Sequence, residues 1–244
     1  YAYFQHVAVF ADPDSFYHAK AAVLLRDGNF SRSFTALPFT TLADYFADQH
    51  FLYHLLLVPF TVIFDPLIGL KVATVLFGAL LALTFYWFQR RWGIPWAFIS
   101  TVLLLLVNPF SFRMNLAKAS SLSLTLLFLG LAAAFSYRPK VVWVLSFFYV
   151  WFYGGFPLLI VGTIAFAIVS VLHRWVFQRQ DANTFLQRVR SLLGKKFRQQ
   201  KVRRLNLGLA LAVLGGTALG LVINPFFSKN IPFYYDQIIR IGVV

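Results

Sequence analysis

Residues 67–88 read LIGLKVATVLFGALLALTFYWF, an apolar run with one charge, Lys71, closed by Gln89, Arg90 and Arg91. A helix of that length reaches across about 30 Å of hydrocarbon, so this stretch places the fold in lipid. Further apolar runs near 94–110, 119–136, 141–155, 156–172 and 205–223 extend the expectation to an all-α, polytopic transmembrane bundle. It would form a single transmembrane domain over 1–244. Composition agrees: 59% hydrophobic, 19% aromatic and 12% charged residues leave too little polar surface for an ordinary soluble domain. The mean hydropathy is +0.70. The chain opens at Tyr1 inside an apolar stretch rather than at Met, so a piece of a longer protein is expected, with N- and C-terminal parts missing.

A formal charge of +14 suggests nucleic acid in a soluble protein, but the basic residues here sit at the ends of apolar runs and in one loop, 173–204. The partner they imply is the lipid bilayer, not nucleic acid. If the runs alternate in direction, Arg90, Arg91, Arg138, Lys140 and the loop fall on one side, which the positive-inside rule assigns to the cytoplasm. Within the loop, Phe185, Leu186, Val189, Leu192, Leu193 and Phe197 recur at helical spacing, the pattern of an amphipathic helix on an anionic leaflet. The periplasmic, extracellular or luminal side receives Asp12, Asp14, the segment 29–50, the loop Asn108 to Lys118 and the stretch after Asn224. Residues 12–64 then read as an external juxtamembrane region. His50 to Phe64 is apolar but short and contains Pro59, as in a re-entrant or interfacial helix.

Asp12-Pro13-Asp14 opens that region. Pro13 disfavours helix at Asp12, and in an extended segment residues two apart point to one side, so both carboxylates can converge on one ligand or cation. The simpler alternative is that Asp14 caps a helix running from Ser15 to about Asp27 and stopping at Gly28. His50 and His54, four apart, share a helical face at metal-ligand spacing. The chain has no Glu, so no HExxH motif, and interfacial histidines are the preferred reading. It also has no Cys, which restricts any metal to Asp, His and backbone oxygens.

DPDSFYHAKAAVLLRDGNF (12–30), ADQHFLYHLLLVPFTVIFDPLIGLKVATVLFG (47–78) and NPFFSKNIPFYY (224–235) resemble GT-C-type integral-membrane glycosyltransferases. These include oligosaccharyltransferase catalytic subunits, protein O-mannosyltransferases and lipid A aminoarabinose transferases. The resemblance implies an inverting transfer of sugar from a polyprenyl-phosphate donor at the non-cytoplasmic face. Asp12 matches the family's acidic residue of the first external loop, a general base or acceptor-positioning group, and Asp14 its neighbour. Arg113, Lys118 and Lys229, with His50 and His54, become candidates for substrate and phosphate contact. A divalent cation, Mg or Mn, would draw on Asp14, Asp44 and Asp48. The second external loop, 108–115, lacks the acidic pair with which oligosaccharyltransferase subunits hold such a cation.

The rival reading is a transporter or a non-catalytic lipid-handling membrane subunit. Transporters carry ionisable groups near the bilayer midplane, whereas these runs are nearly uncharged at their centres.

The topology is testable by single-cysteine labelling, because the chain has no cysteine of its own. An impermeant reagent on intact cells is expected to reach a cysteine at Ser111 and not one at Lys196; the reverse pattern contradicts the assignment.

Overall fold

The computed structural model describes residues 2–6, 10–30, 33, 39, 46–177 and 207–240. Among them the secondary structure is entirely helical. In chain order the helices are α1 (Ala2–Gln5), α2 (Asp14–Arg26), α3 (Phe51–Ile63), α4 (Pro66–Arg91), α5 (Ala97–Leu106), α6 (Asn108–Asn115), α7 (Ser120–Phe135), α8 (Pro139–Phe152), α9 (Pro157–Phe177), α10 (Leu207–Val222) and α11 (Asn230–Tyr235), the last followed by a π-helical turn, Asp236–Arg240. The amphipathic helix expected in the basic loop falls on 178–204, outside the described residues. So does most of the segment 31–45.

Local signals explain the ends of several helices. Asp65 caps α4, its side chain accepting from the Leu67 amide at 3.0 Å, and Pro66 follows where a missing N–H costs nothing. At the end of α2, Gly28 adopts φ +73°, and the amides of Gly28 and Asn29 return to Leu25 and Leu24. The run 94–110 is not one helix. α5 and α6 meet at 76°, because Pro109 has no amide for the Leu105 carbonyl and the Ser111 hydroxyl takes that acceptor instead.

Packing joins α8 to α10 and α7, α4 to α7 and α3, and α3 to α2. The apolar surface lies largely outside: Leu83, Phe98, Leu106, Val161, Leu207 and Leu211 are 60–73% exposed. Inside, hydroxyls accompany Ala and Leu, and Thr74, Thr125, Ser146 and Thr217 each bond the carbonyl four residues back. They need no partner on another helix. Among the described residues one helix, α4 with 26 residues, is long and apolar enough to cross a membrane; the bent α5–α6 pair makes a second if it counts as one span. α7, α8 and α10 are apolar but shorter, at 16, 14 and 16 residues, so the expected array of full-length crossings is reduced to this.

The α8–α10 contact depends on two glycines four apart. A Cβ on Gly216 would overlap the Trp143 carbonyl, and one on Gly220 would stand 2.6 Å from the Phe147 carbonyl oxygen. Small residues at this spacing let helix backbones meet. At Gly220 the Trp151 indole also donates to the backbone carbonyl, at 2.8 Å.

Alanine normally favours a helix over glycine, so the sign of a substitution reports the contact. Gly220→Ala is expected to destabilise the protein by about 1–3 kcal/mol in denaturant titrations in detergent. Gly215→Ala, where a Cβ meets only ordinary contacts, is expected to be neutral or stabilising.

Candidate functional site

The chain enters α2 through Asp12-Pro13-Asp14, and Asp12 performs the turn chemistry. Its Oδ1 accepts from the Asp14 amide at 2.8 Å, whereas Pro13 stands at the N-cap with no side-chain bond. Capping therefore falls to Asp12, not to Asp14 as the simpler reading expected. One oxygen of each carboxylate converges on a cation: Asp12 Oδ2 lies 2.8 Å and Asp14 Oδ2 2.7 Å from the Lys118 ammonium. Lys118 arrives from the turn after α6, which the Gln5 side chain tethers by donating to the Asn115 carbonyl at 2.6 Å. The bond from Lys118 holds the Asp12 carboxyl below its usual range. Burial works against the charge on Lys118, but its bonds to Asp12 and Asp14 outweigh that cost and raise its pKa.

One turn along α2 from Asp14 stands His18, 2% exposed. Its Nδ1 is 2.7 Å from His54 Nε2, and His54 Nδ1 is 2.6 Å from Asp48 Oδ2. Asp48 Oδ1 accepts the His50 amide at 2.9 Å at the start of α3. A carboxylate only accepts, so His54 carries its proton on Nδ1. With both rings neutral, His54 accepts at Nε2 and His18 donates from Nδ1. Burial, reinforced by His54 and Lys118, pushes the His18 pKa down to about 3. Burial likewise takes His50 to about 3. The rings of His50 and Tyr53 pack edge-on against His18, with centroids at 5.0 and 5.1 Å.

These groups open on a cavity of about 390 Å³, lined by Asp14, His18, Gln49, His50, Arg113, Lys118, Tyr153, Gly154, Gly155 and Gln237 among others. Gln237 is brought there by α11, whose Tyr234 hydroxyl donates to the Val150 carbonyl of α8 at 2.6 Å. Arg113 is exposed and makes no ion pair among the described residues. The pocket is thus polar, with two cations, one already shared by two carboxylates. Beside it lies a second cavity of similar size, lined by Tyr17, Lys20, Leu24, Leu25, Phe30, Phe46, Phe51 and Phe226, and by Asp48. The chain His18–His54–Asp48 runs between them, with His18 lining the first and Asp48 the second.

Of the residues singled out in the sequence, Asp14, Arg113, Lys118 and His50 line one pocket, and Asp12 adjoins it through Lys118. His54 is fully buried, behind His18 rather than in the pocket. Lys229 is an exposed residue preceding α11, away from the lining. Asp44 lies outside the described residues. The two metal candidates among the described residues, Asp14 and Asp48, are already engaged. Asp14 and Asp12 hold an ammonium, Asp48 holds His54, and the described residues contain no group of three His, Cys, Asp or Glu placed to bind a metal. Sequence reasoning missed His18. Its signal was the spacing of four from Asp14, which puts both on one face of α2.

No protein-family model, curated protein or solved structure matches the chain.

Two neutral histidines, His18 buried and His50 half-buried at the pocket, make stability depend on pH. His18 and His50 stay unprotonated in the folded chain down to about pH 3, whereas the unfolded chain protonates them from about 6.5 downward. Protons therefore favour unfolding in that window. Stability is expected to be full above pH 6.5 and to fall progressively towards pH 3, and His50→Gln is expected to flatten that fall; thermal midpoints across the range measure both.

Proposed function

We propose that the protein is a multi-pass membrane glycosyltransferase of GT-C type, transferring sugar from a polyprenyl-phosphate donor to an acceptor at the non-cytoplasmic face. The observation that carries this reading is the meeting of distant stretches, 12–18, 49–50, 113–118, 153–155 and 237, around one polar pocket with an apolar cavity at its side. Such a pair suits an amphiphile whose phosphate and sugar lie in the polar part and whose chain begins in the apolar one. The apolar outer surface, with small and hydroxylated residues within, supports immersion of the bundle in lipid.

In the transfer, the acceptor attacks the sugar carbon as its bond to the phosphate oxygen breaks, and negative charge collects on the departing phosphate. Arg113 meets that charge as a fork of donors not engaged in an ion pair. Lys118 adds a point charge. Asp12 and Asp14 fix its ammonium and keep it protonated, so the acidic pair positions both the cation and the acceptor. Among the roles implied for Asp12, acceptor positioning suits a carboxylate already engaged with Lys118.

Purified protein in lipid is expected to transfer sugar from a polyprenyl-phosphate donor. Arg113→Met is expected to weaken the transfer about 10- to 100-fold in kcat/KM, the worth of a lost charge-assisted contact. Asp12→Asn, which loosens the Lys118 ammonium, is expected to weaken the transfer about 10-fold while still folding, with a thermal midpoint slightly lowered by the lost ion pair. Wild-type protein that moves no sugar across a panel of donors and acceptors, yet binds the lipids, would favour the lipid-handling alternative.

A further inference from the structure

On that reading of the pocket, we propose that His18 is the general base that deprotonates the acceptor, held and tuned by the buried chain His18–His54–Asp48. Three observations support it. The first is geometric: both links are short, 2.7 and 2.6 Å, and run through the fully buried His54 to a carboxylate that is 9% exposed. A carboxylate at that depth costs several kcal/mol unless it is paired. His54 pairs it, and in doing so fixes its own tautomer.

The second observation is directional. With His54 neutral and its Nδ1 proton given to Asp48, His54 Nε2 accepts, and His18 gives its single proton to that bond. The remaining nitrogen of His18, Nε2, therefore carries a lone pair, and His18 lines the polar pocket. Asp12 is engaged through both oxygens, with the Asp14 amide and with Lys118, and Asp14 gives Oδ2 to the same ammonium. An unprotonated imidazole can take a proton, and as it does so the Asp48 carboxylate, acting through His54, meets the charge that forms.

The third observation is the surroundings of the chain. His50 and Tyr53 pack edge-on against His18, and Tyr17 against His54, so the rings cannot turn without displacing neighbours. The arrangement orients the base before substrate arrives.

The step balances. The acceptor's O–H or N–H gives its proton to His18 Nε2, and the electron pair so released forms the bond to the sugar carbon. The bond from that carbon to the phosphate oxygen breaks, and its pair leaves on the phosphate. The new imidazolium donates from Nδ1 to His54, whose other nitrogen is held by the Asp48 carboxylate. His18 is then catalytic, and His54 and Asp48 are positioning residues.

The test compares a protonated acceptor with azide, an anionic nucleophile that has no proton to lose. His18→Asn keeps a donor at the Nδ1 position but no base, and is expected to lower kcat for the protonated acceptor by about 100-fold or more with KM little changed. Azide is expected to restore its turnover. Asp48→Asn is expected to give a smaller loss, also in kcat. A folded His18→Asn with wild-type kcat, or a loss that azide leaves untouched, overturns the assignment. Nitrogen NMR of the wild type, with ¹⁵N in its histidines, reads the chain without reference to activity: a proton on Nδ1 and none on Nε2 of His18 is expected, and the opposite tautomer overturns the relay. Absence of transfer by the wild type with this tautomer intact removes the glycosyltransferase reading and, with it, the catalytic role, while leaving the relay as structure.

Discussion

A carboxylate buried among apolar helices has to be met by hydrogen-bond donors, and the Asp48–His54–His18 chain is how this protein meets it. Asp48 precedes α3, His54 sits within α3 and His18 within α2, so satisfying one charge fixes the register of two helices. Arg26 reinforces the pairing at the far end of α2, donating to the Thr61 carbonyl at 2.8 Å. With α2 held, its first turn is held as well. Asp12 and Asp14 then face Lys118, and the loop after α6 is drawn in.

The helical class and much of the organisation were legible in the sequence. α4 follows the run 67–88 closely because its cap, proline and terminal arginines are all local signals. The grouping of Asp12 and Asp14, 108–118 and the stretch after Asn224 came from charge placement, and residues from each stretch meet at the pocket. What was not legible depends on contacts between distant segments. The break at Val107 turns on a hydroxyl replacing one amide donor, which periodicity does not register. His54 reads as an interfacial partner of His50 when α3 is viewed alone. Only with α2 packed against it does His54 become interior and His18 become the ring that reaches the pocket.

The acidic motif shows the same limit. Its spacing allowed both carboxylates to share a cation, and they do, but that cation is a lysine from more than a hundred residues away. An ammonium in that position changes the chemistry asked of the motif. On the proposed reading the motif mounts a positive charge in the pocket that Arg113 also lines, and proton removal falls to His18. Burial that keeps an imidazole neutral and a hydrogen-bond chain that sets its tautomer are two consequences of the same packing.

On the proposed function, the polar pocket receives the phosphate and sugar of a lipid-linked donor. The most direct measurement is photo-crosslinking of the protein in lipid with a polyprenyl-phosphate sugar carrying a diazirine beside the phosphate, followed by mapping of the labelled residues. The account predicts labelling within 113–118 and 153–155, competed by unlabelled donor and reduced in Arg113→Met. Labelling confined to the exposed faces of the helices, or equal labelling by a chain of the same length without the phosphate, would contradict it.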